Sequence, residues 1–130
     1  MRPELLEKIT KNKSPTQVNL ANMKITDDEI LEIIKIIQQI KPNTCEINLD
    51  NNSISDTGAI ILSNYLLPFN NIKELSIQFN NIGREGAINL FSLMKNFSHL
   101  EIFFHGNRIN DVIEMEEIEY LALQQDNLKC

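Results

Sequence analysis

Between residues 72 and 86 the chain reads IKELSIQFNNIGREG, and the rest of the sequence is a set of variations on that stretch. Leu75 and Ile77 alternate with polar neighbours as a half-buried strand requires, Asn80 and Ile82 follow, and Gly86 opens an apolar stretch of helical period. The equivalents of Ile77 are Leu20, Leu49 and Phe104, so the steps along the chain are 29, 28 and 27 residues. Ile25, Ile54, Ile82 and Ile109 keep the same steps, and so do Met23, Asn52, Asn80 and Asn107. Three columns holding one register through the same length changes define an internal repeat, with its length variation between each helix and the next strand. The chain therefore reads as a stacked array of strand-turn-helix units.

The pattern divides a single domain, 1–130, into a cap at 1–16 and repeats at about 17–43, 44–71, 72–98 and 99–125. Residues 2–10 read as a helix, with Pro3 suited to a first helical position and Leu5, Leu6 and Ile9 on one face. It would cover the open end of the stack. The first repeat has a strand at 17–21 and a helix at 29–40, capped by Asp27 or Asp28, striped by Ile30, Ile33, Ile34, Ile37 and Ile40, and stopped by Pro42. It carries Met23 where the later repeats have Asn and Glu29 where the next two have Gly, so it reads as a degenerate end unit. The second repeat has a strand at 46–50 and a helix at 57–67, capped by Ser55 or Asp56, with Ala59, Leu62 and Leu66 inward and Pro68 as the stop. In the third, the helix runs through Ala87, Leu90, Phe91, Leu93 and Met94 to about residue 96. The fourth has a strand at 101–105, a cap at Asn110 or Asp111, and a helix at 112–125. Met115, Ile118, Leu121 and Ala122 lie on one side of that helix, and Glu114, Glu116, Glu117 and Glu119 largely on the other. An acidic outer face suits a closing helix with nothing stacked beyond it.

Composition changes this picture mainly through charge. With 130 residues, 42% hydrophobic and 23% charged, the chain is globular and long enough to bury about two thirds of its unfolded surface. A net charge of -6 argues against nucleic acid or an anionic membrane as partner and towards a basic protein surface. Glu4, Glu7 and Lys8 interrupt any apolar core for a leader, and no run approaches about 18 apolar residues. Cys45 and Cys130 lie far apart, which favours a reducing, cytoplasmic setting; delivery into another cell as an effector stays open.

The residues that set the repeat have physical jobs. An Asn at the strand-to-loop turn can satisfy backbone donors and acceptors that neither strand nor helix pairs, so Asn52, Asn80 and Asn107 read as a structural ladder. Gly58 and Gly86 sit where a helix starts close behind a strand, and read as packing features that let two backbones approach. As phosphate-cradling loops they fail, because neither NIGREG nor SDTG has the full glycine spacing or a following Lys-Ser/Thr.

The strings LDNNSISDTGAIIL, with Leu49, Asn52, Ile54 and Gly58, and IQFNNIGREGAINL, with Ile77, Asn80, Ile82 and Gly86, resemble leucine-rich repeats of the ribonuclease-inhibitor type. The resemblance spans about residues 17–125 and is strongest in the two inner repeats. It implies an α/β fold: a short right-handed leucine-rich-repeat solenoid with a parallel β-sheet on the concave face and α-helices on the convex face. It also implies a role in binding other proteins, without naming one. The chain departs from the family pattern in its small repeat number, in Met23, and in the shortened step into the fourth repeat.

On that architecture, alternate strand side chains point away from the core and form rows across the sheet. These are Gln17, Glu46, Glu74 and Glu101; then Asn19, Asn48, Ser76 and Phe103; then Ala21, Asp50, Gln78 and His105. Phe79 either flanks the last row or folds under the loop as core. The candidate partner surface is Glu46, Asn48, Asp50, Glu74, Ser76, Gln78, Phe79, Glu101, Phe103 and His105, small and polar at one end and aromatic at the other. It would hold a protein partner, basic in character, with the chain itself a monomer.

Catalysis has less support. His99 and His105 are the two histidines, and no Ser or Cys has a base at a recognisable spacing. His99, Glu101 and His105 could be grouped as metal ligands, but strand alternation puts such residues on one face by accident. Glu46 and Glu74 on neighbouring strands, roughly 5 Å apart, could raise one pKa, yet without a cleft they read as a solvated acidic stripe. No metal, cofactor or catalytic residue is expected. The alternative is that the chain is the recognition portion of a larger enzyme or effector, a question settled by whether the gene product extends past Cys130.

Overall fold

A computed structural model describes residues 1–124. In chain order the elements are α1 (Pro3–Lys11), β1 (Gln17–Asn19), α2 (Asp27–Ile40), β2 (Glu46–Asn48), α3 (Asp56–Tyr65), β3 (Glu74–Ser76), α4 (Arg84–Phe91), β4 (Glu101–Phe103) and α5 (Val112–Gln124). A 3-10 turn, Ser92–Lys95, extends α4. The four strands form one parallel sheet in sequence order, and helix packs on neighbouring helix from α1 to α5 in the same order. The result is a repeat-like α/β fold in which each strand and its helix lie beside the preceding pair.

Register follows from the columns. Gln17 pairs with Glu46, Glu46 with Glu74 and Glu74 with Glu101, while Asn19, Asn48, Ser76 and Phe103 pair two residues further on. Between them the inward residues Val18, Ile47 and Leu75 are buried, as are Leu20, Leu49, Ile77 and Phe104 just beyond the strands. The helices close the other side of this core with Ile30, Ile33, Ile34 and Ile37, then Ala59, Leu62 and Leu66, then Ala87 and Leu90, then Ile118 and Ala122. Burying these side chains on folding, at about 1.5–3 kcal/mol each, is the main stabilising contribution.

Several expectations need correction. Each strand spans three residues instead of five, because the chain leaves the ladder after the second outward position; single bonds such as Leu49 N–H to the Ser76 carbonyl (2.8 Å) carry the pairing on. The N-cap of α2 is Thr26, whose backbone N–H donates to the Glu29 carboxylate at 3.1 Å, while Asp27 and Asp28 already lie in the first helical turn. Ile40 and Leu6 are exposed. Behind Ile40, Lys41 is buried instead, and its ammonium donates to the carbonyls of Asn12 (2.9 Å) and Gln17 (3.1 Å), tying the cap loop to the first unit. On α5 Leu121 is exposed, and the outer face is not simply acidic, since Val112, Ile113, Tyr120 and Leu123 are exposed among its glutamates. The expected helix end at Gln125 and the thiol of Cys130 fall outside the described residues; Cys45 is a half-buried free thiol. Among the described residues no helix is long and apolar enough to cross a membrane.

The turns carry the links between units. Asn52 Oδ1 accepts from the N–H groups of Met23 (3.1 Å) and Ile25 (2.9 Å), and its amide donates to the carbonyls of Leu20, Leu49 and Asp50. Asn80 and Asn107 repeat this, accepting from Ile54 and Ile82 at 3.0 Å each. Every asparagine thus reaches back to the unit before it. The first unit has none before it, so Met23 leaves no donor unserved, and Arg2 from the cap donates to the Met23 carbonyl at 2.6 Å.

Aspartates reach the other way. Asp27 accepts from the backbone N–H of Ser55 at 2.8 Å and from its hydroxyl, and Asp56 accepts from the Gly83 N–H at 2.6 Å. These carboxylates need room. A Cβ on Gly58 would lie 2.3 Å from Asp27 Oδ1, and one on Gly86 would lie 2.7 Å from Asp56 Oδ1 and 2.9 Å from its Cα. The glycines therefore admit the preceding unit's aspartate, a reason different from strand-to-helix approach. Glu29, with no aspartate before it, is free to pair with Arg2 at 2.7 Å, and Ile113 follows a unit that has Arg84 in the aspartate position.

Candidate functional site

Because strand side chains alternate, everything facing away from the helices comes from the two paired rows and the loop row beyond them. Glu46, Glu74 and Glu101 stand on adjacent strands in direct register, and Gln17 donates to the Glu46 carboxylate at 3.0 Å. Partial burial first, then the charge of Glu46 and its hydrogen bond to Glu74, then the charge of Glu101, hold the Glu74 carboxyl above the usual carboxylate range. A raised carboxyl pKa means that the stabilising contribution is present while the group is protonated and is lost as the pH rises through the raised value. Glu74→Gln should therefore raise the thermal midpoint at pH about 7 and leave it nearly unchanged at pH about 3. A carbon-detected NMR titration should place the Glu74 midpoint above that of an ordinary glutamate, and Glu46→Gln should bring it down; a normal midpoint in the unsubstituted protein would remove the carboxylate coupling.

In the second row Asn19 and Asn48 turn their side-chain oxygens back to the N–H groups of Ala21 (3.1 Å) and Asp50 (2.8 Å). Asp50 is engaged as well, accepting from the Ser76 hydroxyl at 2.7 Å and the Gln78 N–H at 2.8 Å. The polar end of the face is thus largely self-satisfied. At the other end Phe103 and His105 are exposed, with Phe79 against His105 edge to face, ring centroids 5.6 Å apart. Phe79 is 49% exposed, so it flanks the last row and is not core. A hollow of about 240 Å³ over β1 to β3 lies between Asn12, Gln17, Glu46, Asn48 and Glu74.

One feature of this face is not in the sequence reading. Asn22, Asn51, Phe79 and Gly106 recur at the 29-, 28- and 27-residue steps, and all four have left-handed backbone, with φ of 59°, 56°, 55° and 80°. Asparagine and glycine adopt that conformation readily, whereas a phenylalanine there costs roughly 1–2 kcal/mol. A Cβ on Gly106 would lie 2.3 Å from the Phe79 ring, so the next unit's corner is shaped to let that ring lie over it. Spacing alone could have revealed the column, because Asn, Asn and Gly at one register position mark a left-handed turn.

His99 and His105 do not converge on a ligand set: among the described residues no three His, Cys, Asp or Glu side chains are placed to hold a metal ion.

Compared by sequence, the chain matches no family model and no curated protein. By structure it is similar to a solved protein described as leiomodin-1 actin-binding site 2. The TM-score is 0.64 over 97% of this chain and 91% of that one, at 16% sequence identity. At that identity the two share a fold.

Proposed function

We propose that the chain is a short leucine-rich-repeat solenoid of the ribonuclease-inhibitor type, one domain of four repeats behind an N-terminal cap. It works as a non-enzymatic module that holds a protein partner across the outward, concave face of its sheet. The observation that carries this reading is Phe79, an aromatic side chain in an unfavourable backbone conformation that ends up in solvent instead of in the core. Strain retained at an exposed aromatic is the mark of a contact residue. Phe103, 38% exposed on the neighbouring strand, and the Glu46, Glu74 and Glu101 row beside it complete an anchor with an acidic flank, suited to a partner with a basic rim. The name of the similar solved structure gives that protein actin as a ligand, so the same fold serves elsewhere to hold a protein, and purified actin is the first partner to try.

The test is capture by the immobilised chain, with Phe103→Ala and Glu46→Lys plus Glu74→Lys as variants. Both should keep the far-ultraviolet circular dichroism of the parent and weaken capture by about tenfold or more, ~1.4 kcal/mol. Unchanged capture by both variants would refute the assignment of the sheet face.

A further inference from the structure

The far end of the stack carries a second surface. In the first three units, the strand residues Val18, Ile47 and Leu75 and the turn residues Ile25, Ile54 and Ile82 are buried. Their fourth-unit equivalents, Ile102 and Ile109, are only partly buried, since no further unit follows among the described residues. Between β4 and α5 this leaves a cavity of about 430 Å³, lined by Ile102, Phe104, Ile109, Val112 and Met115, with Asp111 and Glu119 at its rim.

The cavity continues onto α5. Val112, Glu116, Tyr120 and Leu123 recur at helical spacing on one free face, with Ile113 and Glu119 at its margins. Val112 is 71%, Ile113 74% and Tyr120 63% exposed, more than the other large apolar side chains among the described residues. Glu114 and Glu117 are paired with Arg84, while Glu116 and Glu119 make no ion pair among the described residues. Apolar area interleaved with unpaired carboxylates disfavours a second copy of this chain, which would bring like charges together, and matches a ligand of the opposite kind.

We propose that this end of the stack, from the Ile102 and Ile109 cavity along the free face of α5, docks a basic amphipathic helix of another protein. Its apolar residues seat between β4 and α5, and its lysines or arginines pair with Glu116 and Glu119. The helix lies beside α5 as α5 lies beside α4, continuing the row of packed helices. The site adjoins the strand face at His105, which lines the cavity, but it uses neither Phe79 nor the Glu46 and Glu74 row, and it stands whether or not that face binds a protein.

The probe is a synthetic helix of about five turns with leucines on one face and lysines on the other. Its binding is followed by fluorescence anisotropy and by amide chemical-shift mapping on the intact chain. Saturable binding is expected, with shifts concentrated at Ile102, at 106–113 and along α5, and absent from 46–50 and 74–79. Glu116→Lys with Glu119→Lys, and separately Tyr120→Ser, should weaken it about tenfold without lowering the thermal midpoint, all three positions being exposed. Any of four results would overturn the proposal. These are shifts confined to the strand face, equal affinity for the matching leucine and glutamate peptide, a dimer of the chain that the same substitutions dissociate, or binding that appears only when 125–130 are removed. The third would make a second copy the occupant, and the fourth the chain's own end.

Discussion

Asn52→Ala will cost the fold about 3 kcal/mol, more than the same substitution at Asn80, which will cost about 2 kcal/mol. The difference comes from counting what each side chain leaves behind. Most carbonyls it serves keep another donor: Leu49 is also served by Asn80, and Asp50 by the Asn22 N–H. Donors are different, since an N–H has one proton to place. Removing Asn52 strands the N–H groups of both Met23 and Ile25, whereas removing Asn80 strands that of Ile54. Ile25 and Ile54 are fully buried, so water does not easily replace the lost oxygen. Urea unfolding followed by circular dichroism measures the order: the midpoint should fall further for Asn52→Ala, with the slope unchanged in both. Equal losses would contradict the donor count, and losses under about 0.5 kcal/mol would mean that the ladder is not what joins one unit to the next.

Gly86→Ala should destabilise by about 2 kcal/mol, although alanine is the better helix former by up to about 1 kcal/mol. Two effects of opposite sign meet here, and their sizes decide between them. The new methyl would lie 2.7 Å from Asp56 Oδ1, 2.8 Å from Ile82 Cγ2 and 2.9 Å from the Asp56 Cα. A carboxylate can be turned aside, but a backbone atom in a packed turn moves only with its neighbours, so the clash outweighs the helical gain. At Gly58 the close atoms all belong to side chains, Asp27 and Ile54. Gly58→Ala should therefore cost less, and in that background Asp27→Ala should cost less than it does alone. A double-mutant cycle over Asp27 and Gly58 reads this directly. A stabilised Gly86→Ala protein would contradict the close approach.

The sequence carried the framework well because the framework is periodic. Columns such as Leu20, Leu49 and Ile77 state the register outright, and the strands pair in it. What spacing could not convey were contacts in which one unit shapes another. That Gly58 answers Asp27, or that Gly106 makes room for the Phe79 ring, is a relation between neighbouring units, and a period places each column without saying which columns touch. The cap of α2 was misjudged for a related reason, whereas Ser55 does cap α3. Asp27 looks like a helix cap when its own turn is read alone, yet its carboxylate is already committed to Ser55. Phe79 remained ambiguous because an aromatic just past a strand suits core and surface equally, and only its exposure in the folded chain separates the two. The free face of α5 was partly hidden, since its glutamates drew attention from the valine, isoleucine, tyrosine and leucine among them.

The backward asparagines and forward aspartates also give the array a grammar. Residues 44–71 hold an asparagine that looks back, an aspartate that looks forward and a glycine that receives one, so a duplicate of this segment inserted after itself would meet compatible neighbours on both sides. Residues 72–98 offer Arg84 in place of the aspartate, and tolerate as successor a segment that needs no glycine. Length in this architecture is thus extensible at one interior joint, while the order of the outer segments is fixed by chemistry.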